Sequence, residues 1–351
     1  MKHERLGEFQ VIIHDRQVFQ PGEKLTGVVQ LSATKVVYVK KLFVKICGQA
    51  YVKWTESRQF ETIEFVNCEN YLNESRILSE STGDDFETLL PGNNQIPFHF
   101  VIPASHLPSS YYHGWDKKNY AAIRYWVSAS IYISNNQELT VTQEFYLKEI
   151  ADLTESSYLQ EPKAMSAEEY IVWCCFKTGP VTTNMEINRS AYHPGDDILI
   201  TANIQSGLSS CKTGKVEVQL VQRVNYIANA DYTRDLCSGM SKVDAALERE
   251  HWNTEKNLLL SSSVPSGREI NWTNVRLKIP KAIVPSISCS KCIQLSYFVQ
   301  LRVSFRSVHE DCIIRIPVII ICKPRENSLQ MTLTECKDES PRTHEITVNR
   351  G

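Results

Sequence analysis

The pair Cys289-Ser290-Lys291-Cys292 has the spacing best suited to chemistry in this chain. Two thiolates two residues apart can form half of a tetrahedral zinc site or close into a redox-active disulfide. Zinc needs four ligands, and no second C-x-x-C and no H-x-x-x-H exists to complete the set. No thioredoxin-like strand–helix–strand pattern surrounds the pair either, because it runs straight into an alternating segment at 295–305. Cys289 and Cys292 are therefore expected to pack ahead of a core strand. Cys174-Cys175 are adjacent and fit disulfide geometry poorly, so packing is the default for them too. There is no G-x-S-x-G, Walker A loop, H-E-x-x-H or G-x-G-x-x-G, and the nine histidines are scattered without ligand spacing. The expectation is a protein that is no enzyme, with no metal and no cofactor. Trp54, Trp115 and Trp126 read as core or sheet-face residues, since no basic stripe interleaves them to make a base-stacking platform.

Composition narrows the partners. The 351 residues carry a formal net charge of -2, which gives no reason to expect nucleic acid or an anionic membrane as the main ligand. The N-terminal "MKHERLGEFQ" is charged and lacks the apolar core of a secretory signal. The longest aliphatic run, "IPVIIIC" at 316–322, is far short of the roughly 20 residues that cross a bilayer. A cytoplasmic protein is expected, with its eleven cysteines present as free thiols, several of them small hydrophobes in strands.

The elements that position these residues are strands. At 295–305, Leu295, Tyr297, Val299, Leu301, Val303 and Phe305 share one face, and at 123–133 Ile123, Tyr125, Val127, Ala129, Ile131 and Ile133 do the same. Shorter cases are Val216, Val218 and Leu220, and Leu42, Val44 and Ile46. The best helical candidate, "SKVDAALEREHW" at 241–252, reads as a short helix or a loop. Many short strands between Gly, Pro, Asn and Ser clusters predict an all-β chain of antiparallel sandwiches.

Two phrases recur. Phe19-Gln20-Pro21-Gly22-Glu23 matches Tyr192-His193-Pro194-Gly195-Asp196, 173 positions on. Pro presets φ for the second turn position and Gly accepts the positive φ of a type II turn at the third. Pro103 and Pro108, ahead of the strand at 123–133, are matched by Pro280 and Pro285 ahead of the strand at 295–305. Two copies of one sandwich unit explain both echoes. The expected division is an N-terminal lobe at 1–150, a linker at 151–168, a C-terminal lobe at 169–324 starting with a strand near Glu169, and a polar, mostly flexible tail at 325–351.

With these residues in place the chain resembles the arrestin-domain-containing proteins, the alpha-arrestins, over about residues 8–323. The resemblance rests on "VFQPGEKLTGVVQL", "KKLFVKICGQAYVKW", "LLPGNNQIPFHFVIPASHLPSSYYH" and "IRYWVSASIYI" in the first half. In the second half it rests on "GPVTTNMEINRSAYHPGDDILITANI", "VNYIANADYT", "CIQLSYFVQLRVSF" and "IIRIPVII". It implies two arrestin-type, immunoglobulin-like β-sandwich lobes in tandem without an active site. It also implies an adaptor that links membrane cargo, receptors or transporters, to endocytic or endosomal sorting, recruited peripherally from the cytoplasm to the plasma membrane or endosomes.

The chain departs from the family in two places. It contains no Pro-Pro pair and hence no PPxY, so docking of WW-domain ubiquitin ligases by that route is not expected. The thioredoxin-interacting subgroup, resembled around "VNYIANADYT", has a Cys three residues before a C-lobe Trp. If Trp272 is that Trp, Glu269 holds the position, which speaks against mixed-disulfide capture of thioredoxin there. In arrestins more widely, N-lobe lysines hold phosphates. That resemblance makes Lys41 and Lys45, on one face of the strand around 39–47, and Lys40 at its start, the candidate partner-binding residues, against the alternative of a solvated sheet face. The rival readings are a constitutive coat subunit resembling the retromer's arrestin-fold component and a cysteine-based metal or redox protein.

Overall fold

In a strand, successive side chains point to opposite faces, so each alternating segment buries one face and wets the other. The computed structural model describes residues 6–57, 62–80, 87–89, 91–105, 107–133, 138–150, 157–173, 176–207, 213–231, 246–263, 268–305 and 311–323. The first half forms β1 (Leu6–Ile13), β2 (Val18–Phe19), β3 (Lys24–Ala33), β4 (Val37–Ser57), β5 (Thr62–Glu80), β6 (Glu87–Leu89), β7 (Gly92–Val101), β8 (Tyr111–Gly114), β9 (Tyr120–Ile133) and β10 (Glu138–Leu147). The second half forms β11 (Lys163–Trp173), β12 (Phe176–Ile187), β13 (Ala191–Tyr192), β14 (Asp197–Ser206), β15 (Thr213–Asp231), β16 (Ala246–Ser261), β17 (Glu269–Lys278), β18 (Ile293–Phe305) and β19 (Cys312–Ile320).

Two sandwiches share one sheet. A three-stranded sheet, β1-β3-β7, covers the first half, and a four-stranded sheet, β11-β12-β14-β17, covers the second. Opposite both lies a 12-stranded sheet that runs β13-β19-β18-β15-β5-β4-β9-β10-β2, with β16, β6 and β8 attached beside it. The apolar residues expected to point inward at 295–305, 123–133, 216–220 and 42–46 are buried, except Phe305 and Ile133, which are half-buried against the core at the strand ends. One hydrophobic cluster links Leu42 and Trp54 to Tyr226 and Tyr297, so the core is continuous through both halves. Its large tyrosines satisfy their hydroxyls internally, as buried phenols must. Tyr125 donates to Pro108 O at 2.7 Å and Tyr297 to Val284 O at 2.6 Å, at matching points of the two halves.

The two Pro-Gly turns are the same device twice. Gly22 has φ of 84° and Gly195 of 89°. The closing bonds run from Glu23 N to Gln20 O at 3.2 Å and from Asp196 N to His193 O at 3.0 Å, which defines type II turns. Each acid then folds back: Glu23 accepts from Gln20 N at 2.7 Å and Asp196 from His193 N at 3.0 Å. An arginine seven residues earlier clamps each carboxylate, Arg16 to Glu23 at 3.1 Å and Arg189 to Asp196 at 2.6 Å. The same guanidinium lies over the aromatic residue before the turn, Phe19 at 5.1 Å and Tyr192 at 4.7 Å. The turn moves the chain from the shared sheet to the covering sheet. Before it, β2 pairs in parallel with β10 and β13 with β19; after it, β3 and β14 begin. The proline echo belongs to the same closure, because Ile102 N bonds Glu23 O and Ile279 N bonds Asp196 O, each at 2.9 Å.

The lobes join along β15. Asn229, Ala230 and Asp231 pair with Val66, Phe65 and Glu64 of β5, while β16 lies on the other edge. Beside this seam the Tyr111 and Tyr226 hydroxyls meet at 2.7 Å. Glu69 Oε2 accepts from Lys291 N at 2.8 Å, with Tyr71 Oη also at 2.8 Å.

The stretch expected as a helix or loop at 241–252 is strand from Ala246, the start of β16; residues 241–245 lie outside the described residues. β16 pairs with β15 for most of its length, and this backbone pairing, with Leu247, Leu258 and Leu260 packed against the core, makes it a strand. The strand expected near Glu169 starts at Lys163, inside the stretch read as linker, because β12 offers partners back to Ile187. The tail at 325–351 lies outside the described residues.

Gly22→Ala is expected to lower unfolding free energy by about 1 kcal/mol through backbone strain alone, since a Cβ there would sit 3.7 Å from Ala104. Gly195→Ala is expected to cost more, because its Cβ would also press Lys281 at 3.3 Å. Urea titration checks both, and a neutral or stabilising pair would contradict the positive-φ assignment.

Candidate protein-binding face

The C-x-x-C pair is built into the lobe seam. Cys292 is buried with Sγ 3.8 Å from Glu69 Oε2, and Cys289 is half-buried with Sγ 3.9 Å from Glu149 Oε2. Burial first, then the neighbouring carboxylates, pushes the Cys292 thiol up to about 12 and the Cys289 thiol up to about 11. Such thiols hold their protons at neutral pH and are poor nucleophiles and poor metal ligands. Among the described residues, no group of three or more His, Cys, Asp and Glu side chains is arranged to hold a metal ion. The loop's contribution is structural: it presents Lys291 N and Ser290 Oγ to Glu69. Cys174 and Cys175 lie outside the described residues.

The lysines stand on the solvent face of the shared sheet. Val37 and Val39 point inward, as do Leu42, Val44 and Ile46, so the alternation changes parity between them. The pairing of β4 with β9 shifts at that point, from Val39–Ile133 to Lys41–Tyr132, which leaves Lys40 as the extra residue of a bulge. The bulge turns Lys41 outward, onto the face that carries Lys45. Lys41 Nζ lies 2.9 Å from Glu80 Oε1, its cross-strand neighbour on β5. Lys45 sits between Ser75 and Ser128. Lys40 is exposed at the bulge.

Farther along, the same face becomes aromatic. Opposite pairs on neighbouring strands share a face. The register therefore places Lys41, Phe43, Lys45, Gln49 and Tyr51 of β4 beside Tyr132, Ser130, Ser128, Arg124 and Ala122 of β9. Phe43 stacks on Tyr132 with centroids 6.1 Å apart, and Tyr51 meets Tyr120 at 5.5 Å. Arg124 lies 5.7 Å over the Tyr112 ring and 3.7 Å from Glu144. Of the tryptophans, Trp54 is core, Trp126 is on this face, and Trp115 packs at the lobe seam under Arg249 at 4.6 Å. Reading the sequence for charge found the lysines and missed Tyr51, Tyr112, Tyr120, Arg124 and Tyr146. Their signal was the large aromatic at the outward positions of strands, visible only with the register known.

Two β-sandwich lobes sharing a sheet, with a broad decorated face, define a scaffold for binding other proteins. Comparison with known families fits that class. Residues 9–154 match the arrestin N-terminal domain and residues 177–325 the arrestin C-terminal domain. The chain is similar to arrestin domain-containing protein 17 of Caenorhabditis elegans, 22% identical over 339 residues, covering 93% of this chain and 72% of that protein. It is 24% identical over 321 residues to human thioredoxin-interacting protein, covering 90% and 74%. It is 24% identical over 315 residues to human arrestin domain-containing protein 4, covering 86% and 68%. The chain belongs to the arrestin family, among its arrestin-domain-containing (alpha-arrestin) members. Arrestin-family proteins bind other proteins as adaptors. No described helix is long and apolar enough to cross a membrane.

Alkylation separates the thiols. At pH 8 iodoacetamide is expected to label exposed Cys68 well before Cys289 or Cys292, and the Cys289 rate to rise about tenfold per pH unit from 8 to 10 as thiolate forms. Peptide mass spectrometry checks the order; a fast, pH-independent Cys289 would contradict its raised pKa.

Proposed function

We propose that this protein is a non-enzymatic adaptor that links membrane receptors or transporters to endocytic or endosomal sorting, recruited to the plasma membrane or endosomes as needed. The observation that carries the reading is the match of both arrestin domains across a single continuous fold. Cargo would engage the face of β4 and β9. Lys41 and Lys45 are four residues apart on an extended strand, roughly 13 Å at the usual rise per residue. Standing straight out at that separation, the lysines suit a segment carrying two separated anionic groups, with Lys40 at the bulge beside them. Such a ligand would have to displace Glu80 from Lys41, a weak surface pair worth about 0–1 kcal/mol.

A thioredoxin partner, named for the relative of 24% identity, finds less support here. Glu269 is exposed on β17 and bonded to Asn203, three residues before Trp272. These 351 residues contain no PPxY to dock a WW-domain ubiquitin ligase.

Proximity labelling in the native cell tests the proposal. The unmodified chain is expected to label membrane receptors or transporters together with sorting proteins. Lys41→Glu/Lys45→Glu is expected to lose the cargo signal several-fold while keeping the fold. If the double variant keeps every membrane partner, the lysine site fails. If the unmodified chain labels no membrane protein, or mainly stoichiometric coat subunits, the cargo-adaptor reading fails.

A further inference from the structure

The aromatic end of the same face has a shape of its own. One edge of β9 is bonded to β8 at Tyr120–Ile123 and to β10 from Tyr125 onward, so Arg124 stands opposite the break between two strands. The break opens as a notch of about 340 Å³ bounded by Tyr112, Tyr146, Arg124 and Glu144. On the other side of Arg124 lies a second cleft of about 390 Å³, walled by Tyr51, Tyr120 and Trp126 and floored by Ala122. Arg124 and Glu144 line both, so they form a ridge between two aromatic clefts.

Its exposed chemistry is unusual for a solvated sheet. Tyr112 is 62% and Tyr146 55% exposed, large values for rings at the mouth of a cavity. Tyr112 stacks on Tyr120 at 6.4 Å, which fixes the rings as standing walls. Among the described residues, the hydroxyls of Tyr51, Tyr112, Tyr120 and Tyr146 and the Trp126 indole N–H have no hydrogen-bond partner. Among the described residues, the Arg124 guanidinium pairs with Glu144 at 3.7 Å, beyond hydrogen-bond length, and lies over the Tyr112 ring. Tyr, Trp and Arg at a cleft are the residue types that anchor protein interfaces.

We infer that these paired clefts bind an extended, proline-containing segment of a partner protein in the polyproline II conformation. This deepens the proposed adaptor role and rests on it. Polyproline II exposes its carbonyls without internal hydrogen bonds, and proline has no N–H, so such a segment needs donors and flat apolar walls. The clefts supply both: an indole N–H, a guanidinium and tyrosine hydroxyls beside tyrosine faces. Its three-residue turn seats residues on either side of a ridge, as in other aromatic-lined grooves that read proline motifs. Other occupants fit less well. A strand-adding peptide needs a free edge, and β8 and β10 already occupy this one. An acidic peptide or anionic lipid needs net positive charge, and Glu144 stands beside Arg124. An apolar helix face needs an aliphatic groove.

The test uses the full chain and fluorescein-labelled decaproline, which is polyproline II in water, with Gly-Ser and decaglutamate peptides of equal length as controls, read by fluorescence anisotropy. Decaproline is expected to bind saturably and the controls not. Tyr112→Ala and Trp126→Ala are each expected to weaken it about tenfold or more, as hot-spot aromatics do. Tyr112→Phe keeps the wall and is expected to cost under about threefold, and Tyr170→Ala, on β11, to change nothing. Arg124→Gln, at an exposed position whose contacts are Glu144 and the Tyr112 ring, gives a second variant, with its fold checked by circular dichroism; it too is expected to weaken binding. No saturable decaproline binding, binding indifferent to these changes, or preference for decaglutamate or anionic phosphatidylserine vesicles lost in Arg124→Gln would overturn the inference. Each of those leaves the proximity-labelling result untouched, so the adaptor reading and this site fail separately.

Discussion

A carboxylate gripped between an arginine and its own turn closes each half of this molecule. Glu23 is 7% exposed, and a carboxylate that far from water persists only with charge and N–H partners to replace its hydration. Arg16 and Gln20 N–H supply them, as Arg189 and His193 N–H do for Asp196. The closure orders four segments at once: the short parallel strand before the turn, the covering strand after it, the aromatic under the guanidinium, and the Ile102 or Ile279 backbone. Without it the covering sheet has no fixed point of departure from the shared one.

What the closure makes possible is a rigid frame. The shared sheet crosses from lobe to lobe at β5–β15, and Tyr111, Tyr226, Glu69 and Ser290 tie its margin. In that setting Cys289 and Cys292 act as small packed groups whose loop feeds N–H and hydroxyl donors to Glu69. A frame that already holds its surface residues in place lowers the ordering cost of binding, which matters more than area for an adaptor. Phe43 and Tyr51 are spaced by strand register and each held between β5 and β9, and Arg124 is held by β4 on one side and faces the β8–β10 break on the other.

Core strands and the duplicated turn were legible in the residues, since full burial of one face writes a period of two into 123–133 and 295–305. Two things were not. Among the described residues, β16 buries no side chain fully, and only Leu247, Leu258 and Leu260 pack against the core, so Glu248, Arg249, Glu250, Asn253 and Glu255 carry helix-forming chemistry while backbone pairing sets the conformation. The arginine clamp was hidden because seven-residue spacing across a turn has no period to detect; it shows only when Arg16 and Arg189 are seen to curl back. Of the candidate site, Lys41 and Lys45 were visible as outward charges. The parity change at Lys40, which places Lys41 on that face, was encoded in Val37-Tyr38-Val39-Lys40-Lys41-Leu42 and needed the register to interpret. The aromatic clefts arise from four strands, β4, β8, β9 and β10, brought together from residues 51, 112 and 120–146, a juxtaposition no local window contains.

We propose that this arrestin-family chain meets its partners on the β4–β9–β10 face. Hydroxyl-radical footprinting of the full chain, alone and in complex with a membrane partner captured from cells, reads that face side chain by side chain. Oxidation of Tyr112, Tyr146 and Trp126 is expected to fall on complex formation while Trp252 and Tyr170 remain as reactive as in the free chain. Unchanged oxidation at those three residues, with protection appearing instead at Trp252 or Tyr170 in the second lobe, would contradict it.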